Sequence, residues 1–269
     1  MVDCFNKNID NLKLKKLWLF DMDGTIYLEN SLFKKVKNLL NFITENGGNY
    51  VFITNNSSKS VADYVEKLTA MGLSVNEENF FTSSQAAVLF LNKNHAGELV
   101  YAQGITSFIN ELNKNNVLVT TNYDENAKVI LVSFDTELTS EKIRTTCKML
   151  TKVNATYYAT NPDWVCPVDF GYIPDCGSMC EGYFLATGKR PEFIGKPSPF
   201  MVDEVVKKYG VNKNDAVVLG DRLYTDIASG VNAGVDTVFV LSGEGTLKTL
   251  NESEVKPTYV LNGVWEILE

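Results

Sequence analysis

Short apolar runs rich in β-branched residues alternate along the chain with stretches whose apolar positions recur at helical spacing. The clearest runs are 17–20, 50–54, 216–220, 237–241 and 258–261. Because they are apolar at successive positions, both faces of each strand are expected to be buried, as in a parallel sheet covered by helices. The pattern therefore predicts an α/β protein with a Rossmann-like parallel-sheet core domain.

Helix start and stop signals lie between these runs. Ser198 is the expected N-cap of one helix, with Pro199 at its first position, and Gly210 is expected to end it. Apolar residues at helical spacing fill the interval, which indicates a helix that covers the sheet.

The middle of the chain has its own alternation of strands and helices. Between residues 82 and 187, the runs "ELVYA", "VLVTT", "VILVSF" and "TYYAT" alternate with helical stretches at 104–115 and 139–152. We interpret 82–187 as a second α/β domain, a cap inserted into a core formed by 1–81 and 188–269. The strongest polar motifs lie on either side of the insertion.

Composition and charge narrow the possible functions. The chain has 269 residues, 45% of them hydrophobic, and a formal net charge of −8. An acidic surface disfavours nucleic-acid binding, and no apolar stretch approaches the ~18 residues of a membrane span. The charged N-terminal segment and five scattered cysteines are typical of a cytoplasmic protein with reduced thiols.

The sequence does not indicate catalysis by histidine or a zinc site formed by cysteines. The single histidine, His95, lies in the polar stretch "NKNHAGEL" and is expected to be a solvated surface residue. Cys176 and Cys180 have helical spacing, but a zinc site usually needs four ligands. An enzyme with this composition is expected to use carboxylates and lysines.

Polar residues follow the predicted strands in four segments. These are "LFDMDGTIY" (19–27), "ITNNSS" (53–58), "GKPSP" (195–199) and "GDRLYTD" (220–226). In an open parallel sheet, ligands bind outside the carboxyl ends of the strands, so the four segments are expected to converge on one site.

Charge balance in that site points to a metal. Asp21, Asp23 and Asp221, with Asp226 nearby in an expected first helical turn after Thr225, would oppose a single lysine. Mg²⁺ prefers carboxylate and carbonyl oxygens and commonly shares its shell with a substrate phosphate. A magnesium ion beside a phosphoryl group would make the crowded acids tolerable.

At this point the four motifs resemble those of the haloacid dehalogenase superfamily of phosphotransferases. "DMDGT" matches the first motif, Thr54 the second, Lys196 the third and "GDRLYTD" the fourth, in the expected order. More narrowly, the motifs are similar to the NagD-like, 4-nitrophenylphosphatase-like branch, whose large α/β cap is inserted between the second and third motifs.

The resemblance implies a magnesium-dependent phosphatase that acts on a small phosphate monoester. Asp21 would be the nucleophile that forms an aspartyl-phosphate, and Asp23 would be the acid and then the base. Asp21, the backbone carbonyl of Asp23, and Asp221 would hold Mg²⁺, with Asp226 ligating it or orienting its waters.

The remaining motif residues would bind the phosphoryl group. The resemblance assigns this role to Thr54, to the amides of Asn55 and Asn56, and to Lys196, which would balance charge in a loose transition state.

The cap is expected to select the substrate. Within 161–178, Trp164, Asp169 and Tyr172 are candidates to face it, and ordinary loop packing is the alternative. Pyridoxal phosphatase relatives use a histidine from this region to contact the substrate, and 161–178 contains no histidine. A sugar phosphate, a nucleoside monophosphate or an aryl phosphate such as p-nitrophenyl phosphate is expected, and a homodimer through the cap is a further expectation.

Three rival interpretations use the same residues. A phosphoacceptor signalling domain would need neither Asp23 nor a cap. A non-catalytic sensor of phosphorylated metabolites would be expected to lose the nucleophile or the acid, and both are present. "SGEGTL" (242–247) suggests a dinucleotide site, but the third glycine is missing and a plain loop is the better interpretation.

Overall fold

The chain divides into two units that alternate along the sequence. The computed structural model describes residues 1–57, 59–168 and 170–269. The first unit consists of Met1–Thr54, Val61–Phe81 and Lys196–Glu269, and the second of Asn55–Ser60 and Thr82–Gly195. The predicted boundaries therefore differ at two places: 55–60 and 188–195 belong to the second unit.

Strands and short helices alternate along the described residues. The strands are β1 (Leu17–Phe20), β2 (Tyr27–Leu28), β3 (Ser31–Leu32), β4 (Asn49–Thr54), β5 (Phe80–Thr82), β6 (Val100–Gln103), β7 (Val119–Thr120), β8 (Val129–Val132), β9 (Thr156–Ala159), β10 (Val165–Val168), β11 (Gly171–Pro174), β12 (Glu192–Phe193), β13 (Ala216–Gly220), β14 (Asp236–Val240) and β15 (Tyr259–Leu261). The helices are α1 (Val36–Glu45), α2 (Val61–Ala70), α3 (Ser83–Asn94), α4 (Thr106–Lys114), α5 (Ser140–Lys152), α6 (Cys176–Thr187), α7 (Phe200–Tyr209), α8 (Ala228–Ala233) and α9 (Leu247–Glu252). Within these residues, none of the helices has the length and apolarity needed to cross a bilayer.

The first unit is built on a six-stranded sheet with the order β15, β14, β13, β1, β4, β5. β1 lies at its centre and runs parallel to both β13 and β4, with Leu19 opposite Val218 on one side and Val51 on the other. Every residue of β1 is buried. The prediction of a parallel-sheet core from runs that are apolar on both faces is confirmed.

Aromatic packing fixes the centre of this sheet. The rings of Trp18 and Phe20 stack at 6.0 Å between centroids, and Phe52 lies between Phe20 and Phe80 at 6.3 and 5.3 Å. Burying one such side chain contributes roughly 1.5–3 kcal/mol. A rigid core therefore holds the carboxyl ends of β1 and β4.

The second unit has a sheet of its own, with the order β12, β9, β8, β6, β7. β12 pairs with β9 through Glu192 opposite Tyr158, which explains why 188–195 leaves the predicted core. Residues of α5 and α6 pack against this sheet in one hydrophobic cluster. The prediction of a second α/β unit within the chain is confirmed.

Several local predictions are wrong. Helix α7 begins at Phe200 with Pro199 as its N-cap, one residue later than predicted, although Ser198 Oγ accepts a hydrogen bond from the Phe200 N–H as a capping side chain does. The stretch 161–178 is not simply a loop, because β10 and β11 form an antiparallel hairpin in it. His95 is partly buried and not a fully solvated residue: its ring lies 5.4 Å from that of Tyr158 and its Nδ1 lies 2.8 Å from Glu98 Oε2.

Candidate active site

The polar segments of the first unit meet at the carboxyl ends of three neighbouring strands. Asp21 follows β1, Thr54 ends β4 and Asp221 follows β13. Since β1 pairs with both β4 and β13, these ends lie side by side at one edge of the sheet. The topology thus brings together Asp21 and Asp221, which are 200 residues apart in sequence.

The chain turns sharply as it leaves β1. Asp21 continues the sheet, because its N–H donates to the Leu219 carbonyl at 2.8 Å. Gly24 then adopts a left-handed conformation with φ of 76°, which strains any residue with a side chain. A Cβ at Gly24 would also lie 2.5 Å from Oδ2 of Asp221. This position needs glycine both for its backbone and for the space beside Asp221.

Lys196 lies buried at the centre of the site, 2% exposed. Its ammonium donates to Asp21 Oδ1 at 2.7 Å, to Asp226 Oδ1 at 2.6 Å and to the Ile53 carbonyl at 3.2 Å. Burial alone would lower the pKa of Lys196, but the Asp21 and Asp226 carboxylates outweigh it and raise the pKa. Lys196 is therefore a permanent cation that ties the segment after β1 to the end of β4 and to the segment after β13.

Asp226 does not occupy the predicted first turn of an ordinary helix. It lies in the first turn of a π-helical segment, Leu223–Ile227, whose N-cap is Arg222, so Thr225 lies inside this turn and does not precede it. Asp226 is 1% exposed, and its Oδ2 accepts a hydrogen bond from the Arg222 N–H at 3.0 Å. Both carboxylate oxygens are thus engaged. π-Helical turns are frequent at functional sites because they redirect one side chain.

The two carboxylate oxygens of Asp221 differ in their hydrogen bonding. Its Oδ2 accepts a hydrogen bond from the Glu244 N–H at 2.7 Å, whereas its buried Oδ1 has no hydrogen-bond partner among the described residues. Burial, followed by the neighbouring Asp226, raises the pKa of Asp221 to about 7. An unpartnered buried carboxylate oxygen is costly, which is the condition that a bound cation relieves.

The three carboxylates form a group that fits a divalent cation. Asp21, Asp221 and Asp226 each offer an oxygen within 4.8 Å of the others. Burial and the neighbouring Asp226 raise the pKa of Asp21 well above its ordinary value, despite the opposing effect of Lys196. When ionised, three carboxylates and one ammonium carry a formal charge of −2, which a divalent ion would neutralise. Oxygen donors of this kind suit Mg²⁺.

Asp23 and Thr54 lie at the edge of this group. The Asp23 side chain is exposed and is not one of the clustered carboxylates, so a leaving group or a water can approach it. Thr54 is buried and follows Ile53, whose carbonyl binds Lys196.

Asn55 and Asn56 belong to the second unit. The Asn55 side chain donates to Asp163 Oδ2 at 2.7 Å, and its carbonyl accepts from Ser83 Oγ at 2.6 Å. The backbone amides of both asparagines stay candidates for phosphoryl binding. Asp169, the predicted substrate contact of the cap, lies outside the described residues.

Sequence reasoning missed the loop Ser242–Gly245 as part of the site. Ser242 Oγ donates to the Gly24 carbonyl at 2.7 Å, and the N–H of Glu244, two residues further on, donates to Asp221 Oδ2. The sequence signal was the glycine pair in "SGEG" directly after a buried strand. We interpreted those glycines as a plain loop because their effect comes from the backbone.

Comparisons with known proteins agree with this geometry. The family model "Haloacid dehalogenase-like hydrolase" matches residues 18–118, and "HAD-hydrolase-like" matches residues 193–267. The acid sugar phosphatase of Staphylococcus aureus (strain MRSA252) is 30% identical over 248 residues, which cover 92% of this chain and 95% of that protein.

Solved structures of similar proteins share the fold of nearly all of this chain. The 4-nitrophenylphosphatase of Thermotoga maritima is 35% identical with a TM-score of 0.88, covering 96% of this chain and 97% of that one. A glycerol phosphate phosphatase from Mycobacterium tuberculosis, in complex with magnesium, is 25% identical with a TM-score of 0.88, covering 96% and 78%. With both family models and a relative of nearly equal length in agreement, this chain belongs to the haloacid dehalogenase-like hydrolase family, as its four motifs predict.

Proposed function

We propose that this chain is a magnesium-dependent phosphatase that hydrolyses a small phosphate monoester through a phosphorylated Asp21. The observation that carries the proposal is the group of Asp21, Asp221 and Asp226 around Lys196, with Asp221 Oδ1 buried and unpartnered. The similar proteins support it, since their names describe an acid sugar phosphatase, a 4-nitrophenylphosphatase and a glycerol phosphate phosphatase.

The metal would be held by Asp21, Asp221 and the backbone carbonyl of Asp23. Asp226 lies within the same group, but Lys196 and the Arg222 N–H already engage its two oxygens, so its part is to hold Lys196 and to orient metal-bound water. When bound, magnesium supplies positive charge that neutralises the carboxylates and polarises the phosphoryl oxygens.

In the first step, Asp21 attacks phosphorus. One Asp21 oxygen forms the new O–P bond while the bond from phosphorus to the ester oxygen breaks. The Asp23 carboxylic acid gives its proton to the leaving oxygen. Lys196, already 2.7 Å from Asp21 Oδ1, favours the ionised form of this carboxylate and orients it, and its charge balances the oxygens of the transferring group.

In the second step, water attacks the aspartyl-phosphate. Asp23, now a carboxylate, takes a proton from the water as the O–P bond to Asp21 breaks, and inorganic phosphate leaves with Asp21 and Asp23 restored. The exposure of Asp23 supports this role, because a shuttling acid needs access to solvent. Thr54 and the amides of Asn55 and Asn56 would bind the phosphoryl oxygens in both steps.

The substrate class is a sugar phosphate, a nucleoside monophosphate or an aryl phosphate. The cap offers exposed aromatic side chains on and beside the β10–β11 hairpin, with Trp164 53% and Tyr172 65% exposed. Such rings suit contact with a sugar or aryl group. A cytoplasmic location fits a substrate of this kind.

Release of phosphate from p-nitrophenyl phosphate and from a panel of sugar phosphates and nucleoside monophosphates tests the proposal. We expect turnover with Mg²⁺, none in EDTA, and loss of turnover in Asp21→Asn. Asp10→Asn is the matched control, because the Asp10 side chain is 58% exposed, pairs with the Met1 amino group and precedes β1, whereas Asp21 follows it. Magnesium-independent turnover, or substantial activity in Asp21→Asn, would contradict the proposal.

The same assay separates the enzyme from the non-catalytic sensor. A sensor would bind phosphorylated metabolites with magnesium and release no phosphate from any of them. The presence of both Asp21 and Asp23 supports the enzyme, since a sensor has no use for a leaving-group acid.

A further inference from the structure

The loop Ser242–Gly245, between β14 and α9, contacts the site without contributing a candidate metal ligand or nucleophile. It follows a fully buried stretch of β14 and passes beside Asp221 and Gly24. Resting on the proposed function, we infer that this loop is a positioning element that fixes the Asp221 carboxylate in the orientation that binds the divalent cation.

One oxygen of Asp221 is fixed by the loop. The Glu244 N–H donates to Oδ2 at 2.7 Å, and the same oxygen occupies the space that a side chain at Gly24 or Gly243 would need. An ideal Cβ would lie 2.5 Å from Oδ2 if built on Gly24 and 2.1 Å if built on Gly243. With Oδ2 fixed in this way, Oδ1 is the oxygen without a partner among the described residues. The loop therefore decides which oxygen is left for a cation.

The loop is also tied to the segment that carries Asp21. Ser242 Oγ donates to the Gly24 carbonyl at 2.7 Å, and the α-carbon of Gly24 lies 2.7 Å from the position that a Cβ on Gly243 would take. Two strand ends that present carboxylates are thus linked through one short loop. A shift of the loop would move Asp221 relative to Asp21.

Gly243 offers a sharp test because its conformation does not itself demand glycine. Gly243 is not one of the positive-φ glycines, so alanine there causes no backbone strain, and the added methyl acts only through its neighbours. The methyl can be accommodated only by moving the Asp221 carboxylate or the backbones of residues 24 and 243. Either movement breaks the arrangement that holds Oδ2.

Metal binding by the metal-free protein is the deciding measurement. Titration calorimetry with Mn²⁺ and with Mg²⁺ gives the Kd, and thermal unfolding in EDTA gives the Tm. Residues that orient a metal ligand typically change affinity by about 10- to 100-fold, and we expect that increase in Kd for Gly243→Ala. Ser242→Ala adds no atom and removes one hydrogen bond, so we expect about a 2- to 10-fold increase. It serves as the second variant if Gly243→Ala does not fold.

Gly182→Ala is the matched control. Gly182 lies in α6, has no positive φ, and a Cβ there meets nothing within 4 Å, so its Kd should equal that of the wild type. A loop with a merely structural role would lower the Tm in EDTA and leave the Kd unchanged in both loop variants, and that result would overturn the inference. If the wild type bound neither ion, the metal assignment of the proposed function would fail first, and this inference with it.

Discussion

Asp221→Asn should stabilise the metal-free protein at neutral and alkaline pH. Asp221 is 3% exposed and burial raises its pKa to about 7, so its ionised form is unfavourable in the fold until a cation binds. Asparagine keeps the shape, accepts the Glu244 N–H through its own oxygen, and removes the charge. The substitution therefore separates the electrostatic cost of this residue from its packing.

The magnitude follows from the difference between the folded and unfolded pKa. The pKa of an aspartate in an unfolded chain is ~3.9, and each unit of pKa difference is worth ~1.36 kcal/mol. Ionised Asp221 therefore lowers the unfolding free energy by about 4 kcal/mol. Because the folded pKa is the higher one, the folded state binds more protons between these values. Stability is thus full below about pH 4 and falls as the pH rises to about 7. Above that, the contribution is constant.

Urea unfolding in EDTA, from pH 4.5 to 8.5, measures this effect. The difference in unfolding free energy between Asp221→Asn and the wild type should grow in favour of the variant up to about pH 7 and then level off at roughly 2–4 kcal/mol. Mg²⁺ should stabilise the wild type and leave Asp221→Asn nearly unchanged. Asp10→Asn is a control of opposite sign, because a hydrogen bond from Asn8 lowers the pKa of Asp10. An Asp221→Asn protein less stable than the wild type at pH 8 would refute the reasoning.

The remaining predictions concern other parts of the same site. Lys196→Met should lower the unfolding free energy in EDTA by about 3–5 kcal/mol, because it removes the cation from the buried Asp226 and the partly buried Asp21 carboxylates. A urea titration that showed no loss would contradict the ion pairs described above. Asp23→Asn should reduce kcat by about 10²- to 10⁴-fold while stability changes by less than about 0.5 kcal/mol, so steady-state kinetics and urea unfolding together test the acid role. Asp163→Ala removes the acceptor of the Asn55 and Asn161 amides and should cost about 1–3 kcal/mol in the same unfolding assay, with no change in the Kd for Mn²⁺. An Asp163 variant that bound Mn²⁺ more weakly would show that this network extends to the metal.

The strands of the core could be predicted because short runs of consecutive apolar residues are typical of buried parallel strands. β1 and β13 are buried at every position, and a short run that is apolar on both faces fits a parallel sheet. The clustering of Asp21 and Asp221 followed from that topology, since the ends of neighbouring parallel strands meet at one edge. Their position directly after a predicted strand was enough to place these two carboxylates. Lys196 could be placed only by its motif, because it follows β12, which belongs to the sheet of the second unit.

The details that the sequence did not predict depend on backbone geometry and long-range contact. Asp226 follows a threonine, which suggested an ordinary capped helix, but the π-helical turn directs it to Lys196 instead. The β10–β11 hairpin contains Pro167 and Gly171, which conceal a strand pattern. His95 lies in a polar stretch, and its contact with Tyr158 joins residues 63 positions apart.

The glycines of the loop after β14 show the same limit. Gly243 matters because a methyl group there would lie 2.1 Å from Asp221 Oδ2, a relation between two strand ends that local sequence does not encode. Glycine spacing alone suggested a nucleotide-binding loop or a plain turn. The proximity of Gly243 to the Asp221 carboxylate can be recognised only from the structure.

Identification of the phosphorylated residue tests the central claim most directly. Wild-type protein would be mixed with p-nitrophenyl phosphate and Mg²⁺, quenched in acid during turnover, digested, and analysed by peptide mass spectrometry. The account predicts one added phosphoryl group on Asp21, absent when EDTA replaces Mg²⁺ and absent in Asp21→Asn. A phosphoryl group on another residue, or rapid turnover with the Asp21 peptide unmodified at every quench time, would contradict it.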